Sequence, residues 1–270
     1  YYKNLTRDQY ADFKSKMENI QFTISAESNY LHKPIGGIFM TNRMCVVYQT
    51  VDEIPLREFL KKDNVNTLVK FSLMRDVAKA LEELHNNNMI CGNLKVGNVL
   101  ITRGEDEDGN ETFKAKLVDY GDTRSVMWAT QNLVRAYDVF SPKYIPPETL
   151  IQRTYTQKSD MYSFGMLLVQ VLISTKYFKP DEDDIGYPEE EVRDDHGCVL
   201  IPQNILPWVV TKAVIGGNKP VFEMRKNFKL QELVSKCCAM NPNDRVTAST
   251  AATEMESILA DEVEKDKKNV

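Results

Sequence analysis

Four polar residues at fixed spacing carry the chemistry that the sequence offers. Asn93, Lys95 and Asn98 fall in one short stretch, and Asp119 comes 21 residues after Asn98. Amide and carboxylate oxygens such as those of Asn98 and Asp119 are ligands of the type that magnesium prefers, alongside phosphate oxygens. A lysine ammonium such as that of Lys95 neutralises charge on a transferring phosphoryl group. Asn93 cannot act as a strong base, because its amide nitrogen is a donor and its amide oxygen is very weakly basic.

Apolar periodicity predicts the elements that position these residues. A helix is expected just before the Asn93 stretch, and its apolar face comprises Leu73, Val77, Leu81 and Leu84. His85 follows that face and is interpreted as a helix-end histidine near backbone carbonyls rather than a catalytic group. Apolar residues at 113, 115 and 117 alternate as in a half-buried strand leading to Asp119. The run 166–173 is apolar on every side, which predicts a helix in the core, and it is too short to span a bilayer.

Five motifs in order resemble those of protein kinases. They are Gly92-Asn93-Leu94-Lys95 with Asn98, Asp119-Tyr120-Gly121, Tyr144-Ile145-Pro146-Pro147-Glu148, Ser159-Asp160-Met161-Tyr162-Ser163-Phe164-Gly165, and Asn241-Pro242-Asn243-Asp244-Arg245. The chain therefore resembles the eukaryotic protein-kinase-like family, and within it the tyrosine-kinase and tyrosine-kinase-like branch. The first two motifs look especially like the kinase-homology domains of receptor guanylyl cyclases. The Gly92-Asn93 pair is also similar to the pseudokinase domains of Janus kinases.

The resemblance implies that the catalytic loop has lost its base. Asn93 stands where the family has the Asp that accepts the substrate's hydroxyl proton, while Lys95 and Asn98 keep their spacing. Loss of such a base slows a proton-transfer step roughly 100-fold to 10,000-fold. Gly92 replaces the Arg that grips a phosphorylated activation loop in many active kinases. Four hydroxyl residues of that segment are interpreted as ordinary loop residues rather than phosphorylation targets: Thr123, Ser125, Thr130 and Tyr137.

The implied fold class is α+β, a bilobal protein-kinase-like fold with an abbreviated β small lobe and a mainly α-helical large lobe. Residues 1–52 are expected to form a partial small lobe with the regulatory helix (6–25), the last two strands (35–40 and 44–48) and the hinge (51–53). Residues 53–259 form the large lobe, and 260–270 a charged C-terminal tail that is a frayed helix. Tyr48 falls at the gatekeeper position of the nucleotide site.

The expected small lobe lacks two nucleotide-binding features. A Gly-rich loop and a strand Lys contact the phosphates in kinases, and neither can be placed in the residues before Thr6. Either the small lobe is truncated, or its first strands precede Tyr1. Glu18 is the nearest candidate for the helix Glu that pairs with the strand Lys, and a solvent-facing Glu on an amphipathic helix is an equally favoured interpretation.

The architectural pairings of the family are all present in the sequence. Glu148 and Arg245 match the two residues that form a buried ion pair between distant motifs in the family. Asp160 matches the residue that accepts backbone N–H groups from the catalytic loop. The sequence therefore predicts a retained frame around altered chemistry.

Composition excludes several functional classes. The net charge of −5 gives no support to nucleic-acid binding. Five cysteines at irregular spacing, with no Cys-x-x-Cys pair, indicate reduced thiols in a cytosolic setting, so a cytoplasmic protein or the cytosolic part of a larger one is expected. The acidic segments 104–112 and 181–195 are interpreted as solvated loops, with a basic protein partner as the minority alternative.

These observations favour a pseudokinase that acts as a signalling scaffold or allosteric protein-binding module. One alternative is a slow ATP- and magnesium-dependent Ser/Thr or Tyr kinase that uses Lys95, Asn98 and Asp119. Another is a regulatory kinase-homology module for a linked catalytic domain. Protein partners are expected, but no nucleic acid and no membrane span. The cofactor expectation is weak or absent binding of ATP and magnesium, with Lys95, Asn98, Asp119 and Tyr48 in the nucleotide site and Asn98 and Asp119 as metal ligands.

Overall fold

The computed structural model describes residues 28–40, 43–49, 52–61, 65–120, 144–152, 155–173 and 227–269. Several predictions lie outside these residues. They are the regulatory helix with Glu18, the hydroxyl residues at 123, 125, 130 and 137, and the acidic segment 181–195. The described residues combine small β-sheets with longer helices, as the α+β prediction requires.

An antiparallel strand pair lies in the region predicted as the small lobe. Strand β1 (Pro34–Met40) pairs with β2 (Arg43–Tyr48), and the register shifts between Pro34 and Gly36. The predicted strands at 35–40 and 44–48 are therefore confirmed. A glycine is compatible with such an irregularity, because no side chain has to pack at the point where the pairing changes.

A second sheet begins where the hinge was expected. Strand β3 (Glu53–Pro55) pairs with β4 (Val99–Glu105), and β4 forms a hairpin with β5 (Glu111–Leu117). Glu53 lies opposite Thr102 in this pairing, so the last residue of the predicted hinge 51–53 is the first residue of a strand. The acidic segment 104–112 comprises the ends of β4 and β5 and the turn between them, and residues 104–111 are exposed, as expected of a solvated segment.

Two helices lead into the loop that carries Asn93. The short helix α1 (Leu56–Phe59) follows β3 directly. Helix α2 (Thr67–Asn86) begins after Asn66, whose side chain accepts a hydrogen bond from the Leu68 N–H at 2.8 Å and so caps the helix. The predicted apolar face of α2 is confirmed, since Leu73, Val77, Leu81 and Leu84 are fully buried. Burying this stripe fixes the end of α2 against the core.

The remaining helices form the body of the large lobe. They are α3 (Pro147–Gln152), α4 (Gln157–Ile173), α5 (Phe228–Cys237) and α6 (Ala248–Asn269). Helix α4 is the predicted core helix, and Phe164, Leu167, Leu168 and Val171 on it are fully buried. Gly165 lets α4 approach α5 closely, because a Cβ there would lie 2.5 Å from Cys238 Sγ. The described cysteines Cys91, Cys237 and Cys238 are buried free thiols.

Helix α6 continues through residue 260 to Asn269, so the expected charged tail is the end of a 22-residue helix. Asp261 contacts Lys229 at 2.5 Å, and Glu262 accepts a hydrogen bond from the Asn227 side chain at 2.9 Å. These contacts hold the end of α6 against the start of α5. Within the described ranges, no helix has the length and apolar character needed to cross a membrane.

Candidate functional site

One buried carboxylate accepts hydrogen bonds from the backbone of the loop that carries Asn93. Asp160, in the first turn of α4, accepts hydrogen bonds from the backbone N–H groups of Cys91 at 2.8 Å and Gly92 at 2.9 Å. The predicted contact between Asp160 and this loop is therefore present. Two side chains complete the set: His85 Nε2 lies 2.9 Å from one carboxylate oxygen, and the Tyr155 hydroxyl donates to the other at 3.1 Å. A fully buried carboxylate surrounded by four partners is well compensated for its loss of water.

Sequence reasoning missed both side-chain partners of Asp160. His85 was assigned to backbone carbonyls at the end of α2, whereas its ring contacts the Asp160 carboxylate. Its position immediately before the loop was the available signal. Nothing in the sequence around Tyr155 indicated its role, because it is separated by 64 residues of sequence from the loop it supports. Burial and the nearby Asp160 charge raise the pKa of Tyr155, which keeps its hydroxyl a donor.

Gly92 has a backbone conformation that suits glycine. Its φ is 78°, in the left-handed region where a Cβ would be strained. Glycine therefore relieves the loop of that strain at the position where the family resemblance expects Arg. The Gly92 N–H still points at Asp160, so the substitution leaves the backbone contact in place.

Asn93, Asn98 and Asp119 are brought together into one hydrogen-bonded cluster. The Asn93 side-chain Nδ2 donates to Asp119 Oδ2 at 2.9 Å. Asn98, in a 3₁₀ turn at Val96–Asn98, donates through Nδ2 to the Asn93 backbone carbonyl at 2.8 Å. The Val118 N–H donates to the Asn98 carbonyl at 2.9 Å, which ties the chain before Asp119 to the same loop.

Lys95 lies beside this cluster and is half-buried. Burial lowers the pKa of Lys95 from its usual 10.5, the Asp119 charge opposes that effect, and the Arg57 charge adds to it. The charges of Asp119 and Arg57 therefore both act on the Lys95 ammonium. A lysine placed here can interact with an anionic group that enters the cleft.

Tyr48 also reaches this cluster from the end of β2. Burial and the Asp119 charge raise the pKa of Tyr48 to about 12, while a hydrogen bond with the Asp119 backbone acts in the opposite direction. The Tyr48 ring meets the His32 ring edge-on, with ring centroids 5.1 Å apart. The residue predicted as gatekeeper is thus next to Asp119, and its hydroxyl stays protonated at neutral pH.

A buried pair beneath Tyr48 links the segment before β1 to β3. His32 Nε2 lies 2.9 Å from the Glu53 carboxylate, and both side chains are less than one tenth exposed. The Tyr120 hydroxyl donates to the His32 carbonyl at 3.3 Å, and the His32 N–H donates to the Leu117 carbonyl at 2.8 Å. The sequence offered no signal for this pair, because its partners come from segments assigned to different lobes.

The expected ion pair between the distant motifs is present and buried. Arg245 donates through its two terminal nitrogens to the two Glu148 carboxylate oxygens, both at 2.7 Å. It also donates to the carbonyls of Lys158 and Ala239, each at 2.8 Å. Ser159 supplies a further donor to Glu148 at 2.9 Å. This network joins α3, α4 and the segment before α6.

Comparison with known proteins identifies the family. Residues 3–255 match the Protein kinase domain family. The chain belongs to the protein kinase domain family. The match extends over all five motifs, and the catalytic-loop cluster and the Glu148–Arg245 pair described above therefore belong to a kinase domain.

Curated relatives match most of this kinase domain at modest identity. A probable serine/threonine-protein kinase of Dictyostelium discoideum is 25% identical over 87% of the chain and 40% of its own length. A probable LRR receptor-like protein kinase of Arabidopsis thaliana is 23% identical over 95% of the chain and 28% of its own length. Atrial natriuretic peptide receptor 2 of Anguilla japonica is 26% identical over 89% of the chain and 21% of its own length. The chain thus spans less than half the length of these relatives.

A magnesium ion bound at Asp119 would meet an amide donor from Asn93. Magnesium takes oxygen ligands at near-octahedral geometry and is held in such sites by carboxylates and phosphates. Here an amide N–H of Asn93 points at Asp119 Oδ2, which opposes a cation at that oxygen. Asn98 donates through Nδ2 to the Asn93 carbonyl, so its Oδ1 is the atom that could act as a ligand. No group of three or more His, Cys, Asp or Glu side chains in the described part of the chain is arranged to hold a metal.

Proposed function

We propose that this kinase domain is catalytically impaired and acts in signalling as a scaffold or allosteric protein-binding module. The observation that carries the proposal is the hydrogen bond from Asn93 Nδ2 to Asp119 Oδ2. A carboxylate at residue 93 would be an acceptor, whereas the amide there directs a donor at the neighbouring carboxylate. The position of the general base is thus used to hold Asp119.

Chemistry at this cleft is limited by that arrangement. Lys95 is positioned to interact with an anionic group, but Asn93, at the position of the general base, is an amide whose oxygen is very weakly basic. Its nitrogen donates a hydrogen bond to the Asp119 carboxylate. Loss of a general base costs roughly 100-fold to 10,000-fold in rate. The frame of the domain is kept by Asp160 and by the Glu148–Arg245 pair, which favours a role that depends on shape and surface.

Protein partners and a cytoplasmic location are part of the same proposal. They rest on the net charge of −5, the irregularly spaced cysteines and the receptor and kinase names of the relatives. Cofactor binding is proposed to be weak or absent for ATP and magnesium.

A phosphotransfer assay tests the proposal directly. The purified chain is incubated with γ-labelled ATP, magnesium and a mixed Ser, Thr and Tyr peptide pool, beside the variants Asp119→Ala and Lys95→Ala. We expect the wild-type signal to equal that of both variants. Calorimetric titration with ATP on the same samples should give no saturable heat. Transfer by the wild type that both variants lose would overturn the proposal.

That outcome would favour the second candidate, a slow kinase of Ser, Thr or Tyr residues. The observation behind it is that Lys95, Asn98 and Asp119 lie in one neighbourhood, connected by the Lys95–Asp119 charge interaction and by hydrogen bonds through Asn93. A third candidate, a regulatory module for a linked catalytic domain, is favoured by the similarity to a peptide receptor over only 21% of that receptor's length. The test for it is whether the domain changes the activity of the native protein that contains it.

A further inference from the structure

We propose that the side-chain amide of Asn93 takes the place of a metal ion at Asp119, so that this site keeps its arrangement without any divalent cation. The proposal deepens the proposed function, since both concern the Asn93 position, but it is tested without ATP or phosphotransfer. It makes Asn93 a positioning residue that decides whether the site requires a metal.

The chemistry of the contact fixes the orientation of the amide. An ionised carboxylate can only accept hydrogen bonds, so the atom of Asn93 that faces Asp119 Oδ2 at 2.9 Å is the Nδ2 donor. The two N–H bonds of an amide nitrogen carry partial positive charge. They therefore give Asp119 part of the electrostatic stabilisation that a bound cation would provide.

The backbone holds the amide in this place. Asn98 Nδ2 donates to the Asn93 carbonyl at 2.8 Å, and the Asn98 carbonyl accepts from the Val118 N–H at 2.9 Å. Asn98 is buried and its contact with Asn93 is partly buried, whereas the Asn93–Asp119 contact lies at the exposed surface. One hydrogen bond within the catalytic loop and two from the loop to Val118 and Asp119 thereby form a connected series.

Asp119 has a backbone conformation that needs such support. Its φ is 55°, in the left-handed region that non-glycine residues seldom adopt. Residues in that region persist where surrounding contacts determine them, and they cluster at functional sites. The Asn93 amide contacts the Asp119 side chain, and the Tyr48 hydroxyl has a hydrogen bond with the Asp119 backbone.

A cation would have to displace this amide. Magnesium approaching Asp119 Oδ2 meets the Asn93 N–H groups, whose partial charge has the same sign as its own. Replacing Asn93 by Asp reverses the situation, because two carboxylates would then face each other at hydrogen-bond distance and repel. A divalent cation between them relieves that repulsion. The residue type at 93 thus selects between a metal-independent and a metal-requiring site.

The experiment compares the wild type with Asn93→Asp, Asp119→Asn and the double variant Asn93→Asp/Asp119→Asn. Gln152→Glu, which adds the same charge at an exposed position at the end of α3, is the matched control. Thermal unfolding is recorded in EDTA and in rising MgCl₂, and Mn²⁺ binding is followed by electron paramagnetic resonance. No nucleotide is present.

For the wild type, for Asp119→Asn and for Gln152→Glu, we expect the unfolding temperature of each protein to be the same in EDTA as in magnesium. Asn93→Asp should unfold at a lower temperature than the wild type in EDTA and recover as magnesium is added. Its Mn²⁺ affinity should exceed that of the wild type by on the order of tenfold or more, because a second carboxylate joins the site. The double variant should lose this gain.

Saturable Mn²⁺ binding by the wild type that Asp119→Asn abolishes would overturn the proposal, and that measurement does not depend on whether Asn93→Asp folds. A folded Asn93→Asp variant that is as stable as the wild type in EDTA and does not respond to magnesium would also overturn it. Phosphotransfer by the wild type would contradict the proposed function alone, so the two failures are distinguishable.

Discussion

The Glu148–Arg245 pair allows a quantitative test of what holds the large lobe together. Arg245 is fully buried at its side chain and Glu148 is 9% exposed, and two hydrogen bonds of 2.7 Å join them. Replacing Arg245 by Met keeps the apolar stem and removes the charge. Among the described residues, Glu148 would then keep Ser159 as its donor, and the carbonyls of Lys158 and Ala239 would each lose one.

The expected cost follows from leaving a buried charge without its partner. Such single substitutions cost about 3 to 5 kcal/mol. For a chain of this size, roughly 2 to 4 °C of unfolding temperature corresponds to each kcal/mol, so a decrease of roughly 6 to 20 °C is expected. Glu148→Gln should fall in the same range, because it leaves the Arg245 guanidinium buried opposite a neutral amide. The double variant Glu148→Gln/Arg245→Met should cost less than the sum of the two single changes, since it buries no unpaired charge.

Urea unfolding monitored by circular dichroism measures these free energies. Arg103→Ala is the control, because Arg103 lies 3.6 Å from Glu111 with both side chains about half exposed. An exposed pair of that kind contributes about 0 to 1 kcal/mol. If Arg245→Met cost no more than Arg103→Ala, or if the double variant showed simple additivity, the reasoning about a buried and coupled pair would be wrong.

Three further predictions follow from particular backbone and burial observations, each read from the free energy of unfolding in urea. Gly92→Ala should cost about 1 to 2 kcal/mol because φ is 78° at that residue. The control Gly97→Ala should change stability little, since nothing lies within 4 Å of the added Cβ. Equal effects of the two substitutions would contradict the strain argument. Gly165→Ala should cost about 1 to 3 kcal/mol, since the new Cβ would lie 2.5 Å from Cys238 Sγ, and a neutral result would contradict the close packing of α4 on α5. Burial raises the pKa of Asp76 above 3.8, so the folded state retains this proton to higher pH than the unfolded state does. The stability of the wild type relative to Asp76→Asn should therefore fall as the pH rises above about 4. A difference in stability that does not change with pH would refute this prediction.

The fold could be predicted largely because its signals are local or ordered along the chain. The stripe on α2 is a periodicity of one helix, and Asp160 and Arg245 belong to motifs whose order alone indicates what they contact. The all-round apolar run of α4 likewise identified its burial without knowledge of its partners. The apolar faces and the motif residues are therefore features that the fold itself requires of the sequence.

The contacts that were missed join segments for which no pattern exists. His32 and Glu53 come from different predicted lobes, and their pairing depends on the position of β3 beside β4. Tyr155 and His85 contact Asp160 through side chains that come from outside the loop. Local propensity contains no information about such partners, so they become visible only when the tertiary arrangement is known.

The contacts of Asp160 with the catalytic loop explain how the loop can keep its conformation with an amide at residue 93. The contacts to the loop are made with the backbone N–H groups of Cys91 and Gly92, which every non-proline residue at those positions would supply. The contacts of residues 91 and 92 with Asp160 therefore do not depend on a side chain, while the φ of 78° at residue 92 favours glycine. The Asn93 amide makes a contact with Asp119 that a carboxylate at the same place could not make. The structural support of the loop comes from the backbone, so the amide at residue 93 is compatible with a loop that keeps its contacts with Asp160.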